Sequence, residues 1–324
     1  MSIKVSVLEK KPYFISFDIE GKYINHSLVN SLRRSILGNI IGYSFDVNIE
    51  ENTSVFFNPM IESRMADLPI NQNKINLEKN NLRIYLNIHN ETSEIIHVTT
   101  NDIEYYIDDK QIENIFDEND PIDIISLKQN QKLTLSGIAI KGYPNDHDRF
   151  SCVSNCTFKI HPSIDNGTII DANKYNFYIE GNDILYCYQI IKYACNYLLN
   201  RLNIIYDKIN DNSILITKND KQENVYHFTI YGESHTIGTP IEVYLQNNQH
   251  IKFCGNKISH PLSSVLDKDE HVRNIHDDPS KFKYENSYFT ILTSHKNPKI
   301  IILDTIDIIR KLITVISDTN FRSN

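Results

Sequence analysis

Cys152 and Cys156 stand four residues apart with His147 and His161 on either side, a set holding the ligand types of a tetrahedral zinc site. The run from Cys152 to Ile160 has strand character, however, and residues four apart in a strand share a face yet lie ~13 Å apart along it. Paired zinc ligands need a turn between them, so the two thiols read as buried strand residues and no metal is expected. Gly232-Glu233-Ser234-His235 brings a carboxylate, a hydroxyl and an imidazole together, the types of a hydrolytic cluster. Yet no Gly-x-Ser-x-Gly turn exposes a nucleophile and no glycine-rich loop is present to cradle a phosphate. Asp108-Asp109 and Asp277-Asp278 are adjacent pairs that read as surface charges. The expectation is a chain with no catalytic residues and no cofactor.

At 324 residues, the chain is long enough for two or three domains. Hydrophobic residues make up 40% and charged residues 23%, values of a globular protein. The 33 Lys and Arg against 41 Asp and Glu leave a formal charge of −8, the wrong sign for a protein whose main work is holding DNA or an anionic membrane. Five scattered cysteines make no disulfide framework and point to a reducing compartment. Nothing at the amino terminus reads as an address, and no window has the apolar length to span a bilayer. The abundance of Ile and Asn, which share A/T-rich codons with Lys and Tyr, reads as a genome signature, so propensities drawn from Ile alone are discounted.

Val5 to Glu20 alternates as a strand pair, with Tyr13, Ile15, Phe17 and Ile19 on one face. A short helix follows, capped by Ser27 and striped by Leu28, Leu32 and Ile36, with Arg33 and Arg34 off the stripe. From Phe45 to Ile160 the pattern is mostly strand, with the acidic stretch Asp102–Asp123 read as a solvated loop held by Tyr105, Tyr106 and Phe116. A long helix spans Ile184–Tyr206, its stripe including Leu185, Leu198 and Leu202. After a polar stretch to Asn224 the opening repeats. Strand Val225–Tyr231 leads to a helix with Thr239 as cap, Pro240 at its first position and Ile237, Ile241, Tyr244 and Leu245 on its apolar face. Two strands and a last helix, Pro298–Asp318, with Ile306 and Ile313 in its stripe, close the chain. A long helix with a stripe wider than one sheet can cover asks for a second layer, so the two halves are expected to pack as a pseudo-twofold pair.

Three stretches then carry a resemblance. Asn30-Ser31-Leu32-Arg33-Arg34, followed by Glu51-Asn52-Thr53-Ser54 and Ser63-Arg64 through Pro69-Ile70, resembles the opening of the alpha-type subunits of DNA-dependent RNA polymerase, including the bacterial alpha amino-terminal domain. Lys141-Gly142 through His147-Asp148-Arg149-Phe150-Ser151 is similar to the third subunit of polymerase II and its archaeal D-type counterpart. Gly232-Glu233-Ser234-His235-Thr236-Ile237-Gly238, Phe253-Cys254-Gly255-Asn256 and His260-Pro261-Leu262 resemble the eleventh subunit and its archaeal L-type counterpart. In this order, and across nearly the whole chain, they look like a single-chain fusion of the two subunits, as in large cytoplasmic DNA viruses.

The resemblance implies an α+β fold of two alpha-like dimerisation domains, each a small antiparallel sheet with one short and one long helix, joined as an intramolecular pseudo-dimer. The first domain comprises 1–46 and 165–208, a β-rich domain is inserted at 47–164, a linker covers 209–224, and the second domain spans 225–324. It implies a non-catalytic assembly platform of a viral RNA polymerase, the alternative being a free-standing adaptor of the same fold. Arg33, Arg34 and Asn30 would face the second-largest subunit, and the chain would also join the largest. Glu62 and Arg64, expected in a turn, would dock a small tenth- or twelfth-like subunit. Leu28, Leu32, Ile36, Leu185, Leu198, Leu202, His235, Thr236, Ile237, Ile241, Leu245, Ile306 and Ile313 would close the pseudo-dimer. The four-Cys zinc loop frequent in the cellular third subunit has no counterpart, since Asn71–Asn130 contains no Cys. Little or no DNA contact, no membrane, and a place in the viral factory of the host cytoplasm complete the expectation, with packaging in the virion left open.

Overall fold

The computed structural model describes residues 3–165, 168–258 and 286–321, so His260-Pro261-Leu262 and Asp277-Asp278 lie outside the described residues. The chain forms two compact units, residues 1–40, 155–180 and 187–324 in the first and 41–154 with 181–186 in the second. From the amino terminus come β1 (Lys4–Lys11), β2 (Phe14–Glu20) and α1 (His26–Gly38). The second unit follows with β3 (Gly42–Asn52), α2 (Asn58–Ala66), β4 (Leu82–His89), β5 (Ile96–Thr99), β6 (Glu104–Ile107), β7 (Lys110–Ile112), β8 (Asp123–Leu127) and β9 (Lys132–Gly142). The chain then returns in β10 (Val153–Asp165), β11 (Thr168–Gly181) and α3 (Cys187–Asn210). Last come β12 (Thr217–Lys218), β13 (Val225–Tyr231), α4 (His235–Gln246), β14 (Ile251–Ile258), β15 (Asn286–Thr293) and α5 (Pro298–Asp318).

The first unit contains two modules of one design. One sheet has the order β1-β2-β11-β10 and the other β12-β13-β15-β14. Each central antiparallel pair places a phenylalanine opposite a phenylalanine, Phe17↔Phe177 and Phe228↔Phe289. Both pairs stack, with ring centroids 5.1 and 4.5 Å apart and planes within 3° and 4° of parallel. Each phenylalanine of the leading strand is its fourth residue of seven, and a short helix follows each strand. The internal repeat read from the sequence is therefore a repeat of register and core chemistry. The second unit is a five-stranded sheet, β3-β9-β4-β6-β7, with the β5-β8 ribbon and α2 over a core led by Phe45, Met65, Leu86, Tyr105 and Leu135.

Several expectations are corrected. Asn25, not Ser27, caps α1: its Oδ1 accepts from Leu28 N at 3.1 Å, and Ser27 Oγ donates to the same oxygen at 2.6 Å. Helix α4 begins a full turn before Thr239, with Ser234 Oγ accepting from Thr236 N at 3.2 Å, which leaves Pro240 inside the helix. Gly232, at φ +71°, turns the chain out of β13 toward that cap. Glu62 and Arg64 sit in helix α2, not in a turn; Ile61 and Met65 bury its inner face, while exposed Phe57 and Met60 blur the sequence stripe. The first half of the acidic stretch is a hairpin, β6 and β7 joined by Asp108 and Asp109 at φ 47° and 65°, the left-handed pair that a tight hairpin turn needs, while residues 113–122 are a loop as expected.

Helix α3 starts at Cys187 and runs on to Asn210, and its buried face is Ile190, Ile191, Ala194, Cys195, Leu198, Leu202, Ile205 and Ile209. Tyr188, Leu199 and Tyr206 are only half-buried at its edge. The units divide at 40/41 and 154/155, where the sequence reading placed 46/47 and 164/165, because β3 pairs with β9 from Gly42↔Gly142 onward. Residues 209–224, read as linker, contain the end of α3, buried Ile214 and β12, an edge strand paired to β13. If the cap assignment of α4 is right, Ser234→Ala lowers the unfolding free energy by about 1 kcal/mol and Thr239→Ala by less than half of that. Urea denaturation of the two variants checks this, and equal losses would return the helix start to Thr239.

Candidate functional site

The feature that joins the two modules is a seam of four helices. α1 packs on α4 and α3 on α5, while α1 with α3 and α4 with α5 pack within their own modules. Leu28, Leu32 and Ile36 of α1 are 2%, 2% and 1% exposed; Ile237, Ile241 and Leu245 of α4 are 3%, 0% and 0%. Leu198 and Leu202 of α3 and Ile306 and Ile313 of α5 are buried to the same degree. Ile19, Leu28, Leu32, Cys195 and Leu198 from one module converge with Ile313 and Ile316 from the other around a single apolar spot. Each such side chain taken fully out of water contributes about 1.5–3 kcal/mol before entropy is counted. Beyond α5, Phe321 is buried and meets Phe17 edge-on, 5.2 Å between centroids, so the end of the second module reaches the core of the first. Gly238 lets α4 lie close on its sheet: a Cβ there would stand 2.4 Å from Asn256 Nδ2 and 2.7 Å from Ser287 Oγ.

Polar contacts flank the seam. Arg34 Nε donates to Thr236 Oγ1 at 2.8 Å, linking α1 to the first turn of α4, and Tyr244 Oη donates to the carbonyl of Tyr23. Arg201 Nε, on α3, donates to Glu233 Oε1 at 2.6 Å, and the Arg310 guanidinium lies 5.0 Å over the Tyr206 ring. Glu233 is 5% exposed, and burial raises its carboxyl above the usual carboxylate range while Arg201 pulls it back.

Of the residues singled out from the sequence, Leu28, Leu32, Leu198 and Ile313 line the shared apolar spot and Thr236 accepts from Arg34, while Ile36, Leu202, Ile237, Ile241, Leu245 and Ile306 are buried residues of the four helices. Two are elsewhere. His235 is exposed at the head of α4, its Nδ1 3.4 Å from Thr239 Oγ1, because the first helical position points off the buried face. Leu185 is buried two residues ahead of α3, in the second unit. Asn30 Oδ1 accepts from half-buried Arg33 Nε at 3.1 Å, so these two form a unit on α1, whereas Arg34 is spent on Thr236. Arg64 Nη1 donates to Ile124 O at 2.7 Å and its guanidinium lies 5.4 Å from the Phe56 ring, leaving Glu62 exposed beside it. Arg201 and Phe321 were missed, and Glu233 and Tyr244 were read without their polar partners. A carboxylate beside a turn glycine and one arginine on a long apolar stripe were the available signals for the ion pair.

The thiols have no place in chemistry at this site. All five are buried and none is in a disulfide, and burial pushes Cys152, Cys156, Cys195 and Cys254 up to about 12. Among the described residues no cluster of His, Cys, Asp and Glu has the geometry to hold a metal ion.

Residues 226–319 match the RNA polymerase Rpb3/Rpb11 dimerisation domain. The chain is 27% identical over 176 residues, 51% of its length, to DNA-directed RNA polymerase subunit Rpo3 of Archaeoglobus fulgidus, and 25% identical over 51% of its length to Rpo3 of Methanobrevibacter smithii. Those matches span 63% and 60% of the archaeal chains, a little under two thirds. It is also 23% identical to the mimivirus protein R470, assigned as a DNA directed RNA polymerase subunit, over 80% of this chain and 82% of that one.

Two measurements test the site. Arg201→Ala should cost about 2–4 kcal/mol by leaving Glu233 buried without its partner, and Glu233→Gln in the same chain should return part of that loss. A carboxyl held above its unfolded value favours the native state least once pH has risen through both values, so the Arg201→Ala deficit is larger at pH 8 than at pH 5 in thermal unfolding. Ellman's reagent should modify the native thiols slowly and all five after denaturation; one fast native thiol would reopen the nucleophile reading. Residues 226–319 are thus similar to the RNA polymerase Rpb3/Rpb11 dimerisation domain, and the chain is similar over 80% of its length to a viral RNA polymerase subunit.

Proposed function

We propose that this chain is the non-catalytic assembly platform of a viral multisubunit DNA-directed RNA polymerase, on which the second-largest and largest subunits are built. The observation that carries the reading is the seam itself: two modules of one design, fused and closed on each other through buried helices, with a family match on one and archaeal and viral polymerase relatives along the chain. In this reading the first dimerisation domain is third-subunit-like, the second eleventh-subunit-like, and the five-stranded unit is the insert. Arg33 with Asn30 forms the contact to the second-largest subunit, where a guanidinium fork meets a carboxylate. Arg34 serves the seam instead. Glu62 and Arg64, on α2, lie beside the docking place of a small tenth- or twelfth-like subunit. The polymerase would work in the viral factory of the host cytoplasm.

Affinity purification of the tagged full chain from infected cells, read by mass spectrometry, should return two very large polymerase subunits in stoichiometric amounts. Arg33→Ala should keep the fold and lose the second-largest subunit, while Arg34→Ala should mainly lower the melting temperature. A free-standing adaptor would return neither large subunit. The modules expressed apart, residues 1–208 and 209–324, should be poorly soluble and recover on co-expression; two soluble, monodisperse monomers would overturn the platform.

A further inference from the structure

The acid surplus of this chain is confined to one unit. Residues 41–154 and 181–186 carry 20 Asp and Glu against 9 Lys and Arg, a net of −11, whereas the other unit carries 24 Lys and Arg against 21 Asp and Glu, a net of +3. The solvent face of the five-stranded sheet in the acidic unit is not a uniformly polar surface. Two cross-strand rows run over it: Asp46, Ile138, Arg83 and Tyr106 in register on β3, β9, β4 and β6, and beside them Asn48, Ser136, Tyr85 and Glu104. All of these residues but Glu104 line an open groove of about 580 Å³. Ile138 is 50% exposed at its centre and Tyr85 36% exposed beside it. Arg83 is already held by Asp109 at 2.6 Å, and Tyr106 Oη donates to Glu104 Oε2 at 2.6 Å. Asp46 is exposed at the other end of the row, and among the described residues its carboxylate has no hydrogen bond or ion pair.

We infer that this groove binds an extended, arginine-bearing segment of a partner polypeptide. A guanidinium paired with Asp46, its methylene stem on Ile138 and a second arginine stacked on Tyr85 would use each feature of the groove at once. The Arg83–Asp109 pair across the groove shows the same chemistry made within the chain. The field of a unit at −11 steers such a segment toward the face. The inference stands on this sheet alone, so it survives or fails apart from the platform reading.

The test uses the full chain and a fluorescein-labelled peptide, Gly-Arg-Leu-Arg-Leu-Arg-Gly, by fluorescence anisotropy at 150 mM salt. Saturable binding is expected, weakened about tenfold by Asp46→Asn with Ile138→Ser, and less than about twofold by Glu118→Gln with Asp120→Asn, which removes more charge from an exposed part of the same unit. Melting curves confirm that both variants fold. An all-lysine version of the peptide should bind several-fold more weakly, because ammonium groups neither fork nor stack. Absence of saturable binding, equal loss in both variants, or equal affinity for the lysine peptide would overturn the inference, the last two by reducing it to a general attraction of opposite charges.

Discussion

Helix α3 has more apolar surface than its own sheet can cover. Its buried residues, from Cys187 through Ile190, Ile191, Ala194 and Cys195 to Ile205 and Ile209, face more than one direction around the helix, and α5 repeats the pattern with Ile301, Ile302, Ile306, Ile309, Leu312, Ile313 and Ile316. A stripe of that width on an isolated four-stranded module would leave several large side chains in water at about 1.5–3 kcal/mol each. The pairing of modules is thus part of their folding, as in obligate dimers, where stability and association cannot be separated. Placing both on one chain removes the concentration dependence. The end of α3 and β12 make the join short and ordered, with Lys299 Nζ donating to Asn210 O and Asn212 Oδ1 at 2.8 Å each.

Apolar burial alone does not say which module pairs with which. Two copies of the first module, or two of the second, would also cover greasy helices, and the common Phe-on-Phe core shows how alike the modules are. The polar flanks break the equivalence. Arg34 is the ninth residue of α1 and finds Thr236 on α4; the ninth residue of α4 is Val243, which offers nothing in return. Glu233 is buried opposite Arg201, an ion pair made in one direction only. A self-paired copy would bury that carboxylate without the guanidinium, a penalty of several kcal/mol and an effective bar to the wrong pairing.

The fold was legible where one physical rule acted alone. Helix α5 was bounded from sequence because Pro298 can only open it and its stripe is unbroken over the whole span. The strand pair at the start and the second-module strands were read from alternation. The errors came where two rules competed. Thr239-Pro240 has the letters of a helix start, but Ser234 and the turn at Gly232 cap the chain a turn earlier, and packing on the sheet tolerates the proline inside. Helix α2 was missed because Phe57 and Met60 are exposed, so hydrophobicity and burial disagree there. The hairpin of Asp108-Asp109 was hidden by its charge, although adjacent aspartates adopt left-handed backbone more readily than most residues. Of the seam, the apolar half was visible as periodicity; the polar half was not, since a cross-module hydrogen bond leaves no spacing in a single sequence.

The distribution of charge explains why the insert does not dissolve this arrangement. Nearly all of the seam is neutral or paired, so moderate salt should leave it intact, whereas the acidic unit carries an unbalanced surplus. A unit carrying −11 within about 120 residues is self-repelling, and the compact state bears that repulsion unless a cation or basic partner relieves it. The core of that unit supplies the compensation: Phe45, Met65, Leu86, Leu127, Leu133 and Leu135 are all at most 1% exposed, and Asn90, buried at its edge, is satisfied by the carbonyls of Glu94 and Leu127 at 2.7 and 2.9 Å. A unit that holds its own charge by packing can keep carboxylates such as Asp46 unpaired at the surface. Unpaired carboxylates on a well-packed sheet are pre-set for recognition, because no internal pair must be broken before a partner is met.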